Sequence, residues 1–247
     1  MKRPEIITSI NNLEDINYIQ SDGYAFGYQK YTSFAPNYFS YEEIKNIKTD
    51  KKLFVILNAL LHEKDIDDFK KEIDKLSKLN IGFIIQDLGA LSILLDKNIA
   101  KDKIIYNPYT LICNKNDLKA YKEAYGVSIF LSPELNVDEI SKILNEEDAV
   151  VEIYGYEPIY QSYRKVLSLY EEARNVSLEN KNLYIREDTR DELYPIIENE
   201  YGSVIFNHQK INLTNDIDLL INAKYWYIDS SNSSLEEVNE IIKGLNI

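Results

Sequence analysis

The sequence predicts an α/β protein, a (β/α)8 TIM-like barrel with a β-rich insertion before its last strand. Two observations carry that reading. Short apolar, β-branched runs alternate with amphipathic helical patterns from one end of the chain to the other, and no long low-complexity linker interrupts the alternation. Such repetition favours a parallel sheet covered by helices, and roughly 250 residues is an ordinary size for one barrel. With 247 residues, 45% of them hydrophobic, the chain can bury a core of that kind. Residues 1–247 are accordingly read as a single barrel domain.

Residues 6–10 read as the first strand and 12–20 as a short helix. The second strand, 24–28, leads through a polar aromatic loop to a helix starting at Tyr41, where Ser40 and Glu43 make a capping-box pattern. Residues 53–57 form a continuous apolar run, as a strand buried on both faces should. Helix 65–79 carries Ile66, Phe69, Ile73, Leu76 and Leu79 on one face. Strands follow at 82–86, 104–106, 127–131, 150–154 and 225–228, with helical segments at 88–95, 116–125, 137–144, 162–174 and 234–245. Residues 182–207 break the rhythm. They hold β-like runs at 183–187, 194–198 and 203–206 and a turn at Glu200-Tyr201-Gly202, so they read as an insertion within the barrel. About 25 residues cannot bury a core of their own.

Composition narrows the function. No apolar run approaches the ~18 residues of a membrane span, and residues 6–10 are too short and polar for a signal-peptide core, so a cytoplasmic protein without a membrane role is expected. The single cysteine, Cys113, excludes an intrachain disulfide and fits a reducing compartment. It follows Leu111-Ile112 and is expected to pack. The net charge of −13, from 41 acidic and 28 basic residues, argues against a chain that grips DNA by itself. Four of the five arginines, Arg164, Arg174, Arg186 and Arg190, cluster in one stretch, where they either bind an anion or pair with Glu171, Glu172, Glu187 and Asp188.

In such barrels the chemistry gathers where strands end. The ends here supply Asn58 and His62, Gln86 and Asp87, Asn107 and Tyr109, Ser132 and Glu134, Glu152, and Asp229. A ring of amide, carboxylate, imidazole and phenol groups suits a polar ligand, although loop polarity alone produces the same composition. Asp87, Glu134 and Glu152 are candidates for acid/base work or cation binding, with ordinary hydrogen bonding the plainer alternative. A hydrolase would use His62 as base, and a Ser162–His62 pair facing across the barrel mouth is one arrangement. His62-Glu63 lacks the second histidine of the zinc-protease motif, so no metal site is expected.

Asn58-Ala59-Leu60-Leu61-His62, Gln86-Asp87-Leu88-Gly89 and Leu131-Ser132-Pro133-Glu134-Leu135 resemble, in that order, the barrel half of the collagenase-like peptidase family, the peptidases of unknown catalytic type numbered 32. Tyr106-Asn107-Pro108-Tyr109-Thr110 with Asn114, Gln161-Ser162-Tyr163-Arg164, and the stretch from Arg190 through Tyr194-Pro195-Ile196 resemble a short branch of it, similar to tRNA wobble-uridine hydroxylation proteins. The resemblance implies one of several activities: collagen degradation, prephenate-linked hydroxylation of tRNA, or quinone synthesis by paired iron–sulfur subunits. For this chain it implies foremost a factor in wobble-uridine hydroxylation. Arg164 and Arg190 would then hold prephenate or a related anionic metabolite, with His62, Asn58 and Gln86 orienting it and Gln161 and Ser162 beside it.

Departures from the family pattern weigh against catalysis by this chain alone. Where relatives have a glycine–alanine–leucine–cysteine run, this chain has Gly155-Tyr156-Glu157-Pro158, and no cysteine follows. A cubane cluster takes about four thiolates, so an iron–sulfur cofactor is not expected here. A longer related chain is expected as partner, with tRNA reached through it. A hydrolase and a non-catalytic partner subunit stand as the alternatives.

Overall fold

A computed structural model describes residues 3–245. The strands of its first half are β1 (Glu5–Ser9), β2 (Gly23–Tyr28), β3 (Tyr38–Phe39), β4 (Lys52–Leu57), β5 (Gly82–Ile85), β6 (Ile104–Tyr106) and β7 (Ser128–Ile129). Between them lie α1 (Tyr41–Lys45), α2 (Ile66–Leu76), α3 (Leu88–Asp96) and α4 (Lys115–Tyr125). The second half holds α5 (Val137–Leu144), β8 (Val150–Ser162), α6 (Val166–Arg174), β9 (Asn182–Ile185), β10 (Tyr194–Asn199), β11 (Gly202–Asn212), β12 (Tyr225–Ile228) and α7 (Leu235–Gly244). All strands join one sheet in the order β7-β6-β5-β4-β2-β1-β12-β8-β11-β10-β9, with β3 added to β2.

The run from β7 to β8 is parallel, and β8, β11, β10 and β9 are mutually antiparallel. The parallel run curls. Just past β7, Phe130 bridges Val150 of β8, and the Leu131 N–H donates to the Val150 carbonyl at 3.0 Å. The architecture is thus a curled, mixed α/β sheet with helices outside.

Period-two alternation sorts the strand side chains into two cores. Ile7, Ala25, Phe54, Ile56, Ile84, Ile105, Phe130, Val150, Tyr225 and Tyr227 form an inner cluster within the curl. The alternate residues, including Ile6, Val55, Ile85 and Trp226, pack outward against the helices. Phe69, Ile73 and Leu76 are the buried stripe of α2, as their 3–4 residue spacing requires. Fully burying one such side chain stabilises the fold by about 2–3 kcal/mol. Continuing the inner alternation to the strand ends replaces apolar residues by Ser9, Asn58, Asn107, Glu152 and Asp229. The inner face therefore turns polar at one end, and the site lies there.

The expected strands all form, and Ser40 and Glu43 make their reciprocal cap on α1. Three expectations change. Residues 12–20 form only a 3-10 turn, Leu13–Asn17. The helix expected at 162–174 starts at Val166, because β8 does not stop at 154 but runs on to Ser162, held there by antiparallel pairing with β11. The β-rich segment is likewise larger than 182–207, since β11 continues to Asn212 and the far end of β8 belongs with it.

Candidate functional site

The end of the curled sheet carrying the polar residues opens into a cleft of ≈ 390 Å³. Its lining joins Asn58, Asn107, Tyr109, Glu152 and Asp229, all strand-end residues expected from the sequence, with Phe34, Tyr156 and Tyr227. They come from β4, β6, β8 and β12 or the residues that directly follow them, and from the loop after β2.

Asn58 is 2% exposed and works mainly on the wall. Its Oδ1 accepts from the Ser33 and Phe34 N–H groups at 2.9 and 3.4 Å, and its Nδ2 donates to the Phe34 carbonyl at 2.9 Å, which pins the loop after β2. Asn107 accepts from the Tyr109 N–H at 3.1 Å, in a turn where Tyr109 adopts φ 53. That left-handed conformation is uncommon for an aromatic residue and marks a locally constrained backbone.

Glu152 and Asp229 form the floor. A bulge in β8 brings them together: Tyr227 pairs with Glu152, but Ile228 pairs with Tyr154. Gly155 sits above at φ +146, where a Cβ would lie 2.5 Å from the Asp229 Cβ and 2.7 Å from Glu152 Oε1. Only glycine allows both acids that space. Asp229 Oδ1 accepts from the Ser9 and Ser231 hydroxyls, both at 2.9 Å, and from the Ser231 N–H at 3.2 Å. The Glu152 carboxyl makes no hydrogen bond to a described residue.

Burial first, and then the negative charges of Asp229 and Glu157, push the Glu152 carboxyl well above the usual carboxylate range. Burial also raises Asp229, against the opposing pull of its Ser231 and Ser9 hydrogen bonds. Tyr109 and Tyr227 are raised by burial and then chiefly by the neighbouring carboxyl groups, so both phenols stay neutral donors. No lysine or arginine lines the cleft among the described residues. Two carboxyl groups whose hold on a proton is strengthened by burial thus share the cleft floor.

Several expected site residues lie elsewhere. Gln86 and Gln161 bond each other at 2.6 Å, and Gln161 donates to the Asn58 carbonyl at 2.9 Å, so they brace the cleft from behind. His62 is exposed with its ring 4.0 Å from that of Tyr163. Ser162 does not meet it; its hydroxyl accepts from the Arg164 N–H at 3.2 Å. Asp87 caps α3, accepting from the Ala90 N–H at 2.9 Å. Glu134 is exposed beyond Ser132. His62, Asp87 and Glu134 therefore do not converge as a catalytic group. Arg164 is exposed at the turn after β8, and Arg190 is exposed and 3.3 Å from Glu187, so neither reaches the cleft. Cys113 is exposed rather than packed, because Ile112 alone of its neighbours turns inward.

Asp229 was visible as a strand end but not as a partner of Glu152. The alternation Tyr225, Tyr227, Asp229 held the signal, since it places all three on one face. Phe34 carried no sequence signal, because a loop delivers it. Among the described residues no group of three His, Cys, Asp or Glu side chains could hold a metal ion, and no helix is long and apolar enough to cross a membrane.

The family model described as peptidase family U32 matches residues 22–245. A Bacillus subtilis (strain 168) relative named tRNA hydroxylation protein P2 is 23% identical over 239 residues, covering 90% of this chain and 77% of that protein. A solved structure, the U32 peptidase Mk0906, superposes with a TM-score of 0.57 at 11% identity, over 95% of this chain and 96% of the other. That structural likeness concerns the fold alone.

Proposed function

This chain belongs to peptidase family U32, and on that premise we propose that it is a factor in tRNA hydroxylation, acting on wobble uridine in the cytoplasm. The observation that carries the reading is the similarity to tRNA hydroxylation protein P2 across 90% of the chain. The site supports it by what it contains. Nothing in the cleft is an activated nucleophile: it holds acids, amides and phenols, while His62 lies outside it on Tyr163. A peptidase mechanism has no carrier there.

On the same reading the curled sheet is a (β/α)8 barrel joined between β7 and β8, and its cleft receives the small partner of the reaction. Glu152 and Asp229 hold and move protons at that ligand, and Tyr109 and Tyr227 hydrogen-bond it. An anionic metabolite such as prephenate would find no basic partner in the cleft, whose floor is acidic. The iron–sulfur cluster implied for other members does not fit this chain, whose sole thiol, Cys113, is exposed away from the cleft. A longer related chain supplies that chemistry and most of the contact with tRNA.

The test is complementation. The chain is expressed in Bacillus subtilis lacking its tRNA hydroxylation protein P2, and tRNA nucleosides are analysed by mass spectrometry. Return of hydroxylated uridine supports the reading, and its continued absence with the protein present in soluble form contradicts it.

A further inference from the structure

β9 ends the sheet beyond β10, and among the described residues no further strand pairs with its outer edge. Its register with β10 decides which main-chain groups face outward. The Glu198 N–H donates to the Lys181 carbonyl at 2.9 Å, and Leu183 and Ile185 follow at alternate positions opposite Ile196 and Tyr194. In an antiparallel ladder these are the bonded pairs, so Asn182, Tyr184 and Arg186 turn their N–H and C=O groups away from β10. Pro195 stands opposite Tyr184, where it costs the β9–β10 ladder no bond. Of the outward groups, the Asn182 N–H alone is met by a described residue, Asn180 Oδ1, at 2.9 Å.

Open edges are ordinarily guarded by a central lysine, a proline or a bulge. β9 instead presents Tyr184, 59% exposed, and Ile185, 37% exposed. Eight of the fourteen large hydrophobic side chains exposed among the described residues lie within 159–193, the stretch that builds this end of the sheet. Scattered apolar residues need no explanation, but such a concentration marks a surface that is covered.

The charges beside β9 identify what covers it. Laid antiparallel on a copy of itself with Tyr184 opposite Tyr184, β9 sets Leu183 against Ile185 and Lys181 against Glu187, each twice by the two-fold axis. A shift of two residues one way sets Glu187 against Glu179, and the other way against Leu183. Of these registers the one centred on Tyr184 alone joins opposite charges. Lys181 already holds Glu171, and Glu187 holds Arg190, so the new pair completes a row of alternating sign.

We propose that two copies of this chain pair edge to edge through β9, forming a two-fold dimer with one continuous sheet. In it Asn182 lies opposite the partner subunit's Arg186, on the same face of the joined sheet. Asn182 lines an outer chamber of ≈ 600 Å³ that shares Phe34 and Tyr156 with the cleft, and no charged residue lines that chamber among those described. The dimer thus brings a guanidinium to the wall of a site that the single chain leaves without a cation. Self-pairing does not depend on the tRNA-hydroxylation reading, and each stands or falls alone.

The experiment follows the purified full chain by analytical ultracentrifugation from about 1 to about 100 µM, the range for a small, largely main-chain interface. A reversible monomer–dimer equilibrium is expected. Tyr184→Pro removes the central outward N–H, which bonds nothing within the chain, and is expected to weaken the dimer about tenfold or more while circular dichroism stays native. Asn182→Asp sets a carboxylate opposite the partner subunit's Arg186 and is expected to tighten the dimer about threefold; Asn182→Lys is expected to weaken it about as much. Where Tyr184→Pro folds poorly, the opposite responses of the two Asn182 variants decide. A chain that stays monomeric overturns the proposal, even if it associates with a longer family member. So does a dimer that a folded Tyr184→Pro chain keeps at full strength, or one that the two Asn182 variants change alike.

Discussion

Glu152 and Glu198 carry the same carboxyl group into opposite surroundings at the two ends of the same strand system. Glu198 lies on β10 in the antiparallel extension. It accepts from the Leu167 N–H at 2.7 Å, the Ser168 N–H at 3.2 Å, the Ser168 hydroxyl at 2.5 Å and the Ser203 hydroxyl at 2.9 Å. Burial pushes its pKa up, but those donors outweigh burial and hold it below the usual range. It fastens the first turn of α6 to the sheet, where a negative charge also suits the helix N-terminus. Glu152 lies near the start of β8, faces a second acid and has no donor among the described residues. One carboxylate is satisfied by its own chain and serves the fold. The other is left to be satisfied from outside, which is how a site differs from a joint.

Each region depends on a glycine, and the largest expected effects come from filling those positions. Gly155→Ala would force a Cβ onto Asp229 at φ +146, and Gly202→Ala would place one 2.0 Å from the Ser162 carbonyl at φ +113. Each is expected to destabilise the fold by about 3 kcal/mol in chemical denaturation. A loss under ~1 kcal/mol at Gly155 would mean that the two acids are not held together as described.

Glu198→Ala comes next. It strands the Leu167 and Ser168 N–H groups and two serine hydroxyls, so about 2 kcal/mol of stability is expected to go. Glu152→Gln is expected to change stability by less than ~1 kcal/mol at pH 7, and in the stabilising direction, because it removes a repelled carboxyl and breaks no bond. If the two substitutions have equal effects, the contrast between joint and site is gone.

The pH dependence sharpens the contrast because the signs differ. Glu198 has a lowered folded pKa, so its contribution is present above the ordinary glutamate range and is lost as pH falls through the folded value. Glu152 is raised, so its penalty is absent below the ordinary range and grows as pH rises above it. Urea denaturation at pH values from the acid range to neutrality should therefore show Glu198→Gln losing ground against the native chain as pH rises, and Glu152→Gln gaining it. Parallel slopes would contradict both assignments.

The smallest effect is expected at His62. Its ring is exposed on Tyr163, so His62→Ala should change stability by no more than ~0.5 kcal/mol and leave tRNA modification intact. Loss of modification in a stable His62→Ala protein would return the imidazole to the chemistry.

How much of this could be read from the sequence follows the range of the forces involved. The strands 53–57 and 82–86 and the stripe of α2 declare themselves through local alternation and spacing. Five cleft residues, Asn58, Asn107, Tyr109, Glu152 and Asp229, followed from one rule about strand ends. The continuation of β8 did not, because Gly155, Glu157 and Pro158 read locally as a turn and only β11, more than 40 residues on, holds them extended. The pairing of Glu152 with Asp229 was hidden for the same reason, since it depends on a bulge in a non-local pairing. His62, Asp87, Arg164 and Arg190 lie outside the cleft, because residue type suggests chemistry whereas the path of the backbone decides which side chains meet.

The most direct test of the whole account combines site and function in one measurement. Bacillus subtilis lacking its tRNA hydroxylation protein P2 is complemented with the native chain, Asp229→Asn and Arg190→Ala at matched soluble levels, and hydroxylated uridine is quantified by nucleoside mass spectrometry. The account predicts that the native chain and Arg190→Ala restore the modification, while Asp229→Asn reduces it at least tenfold. Full restoration by Asp229→Asn, or none by the native chain, would contradict it.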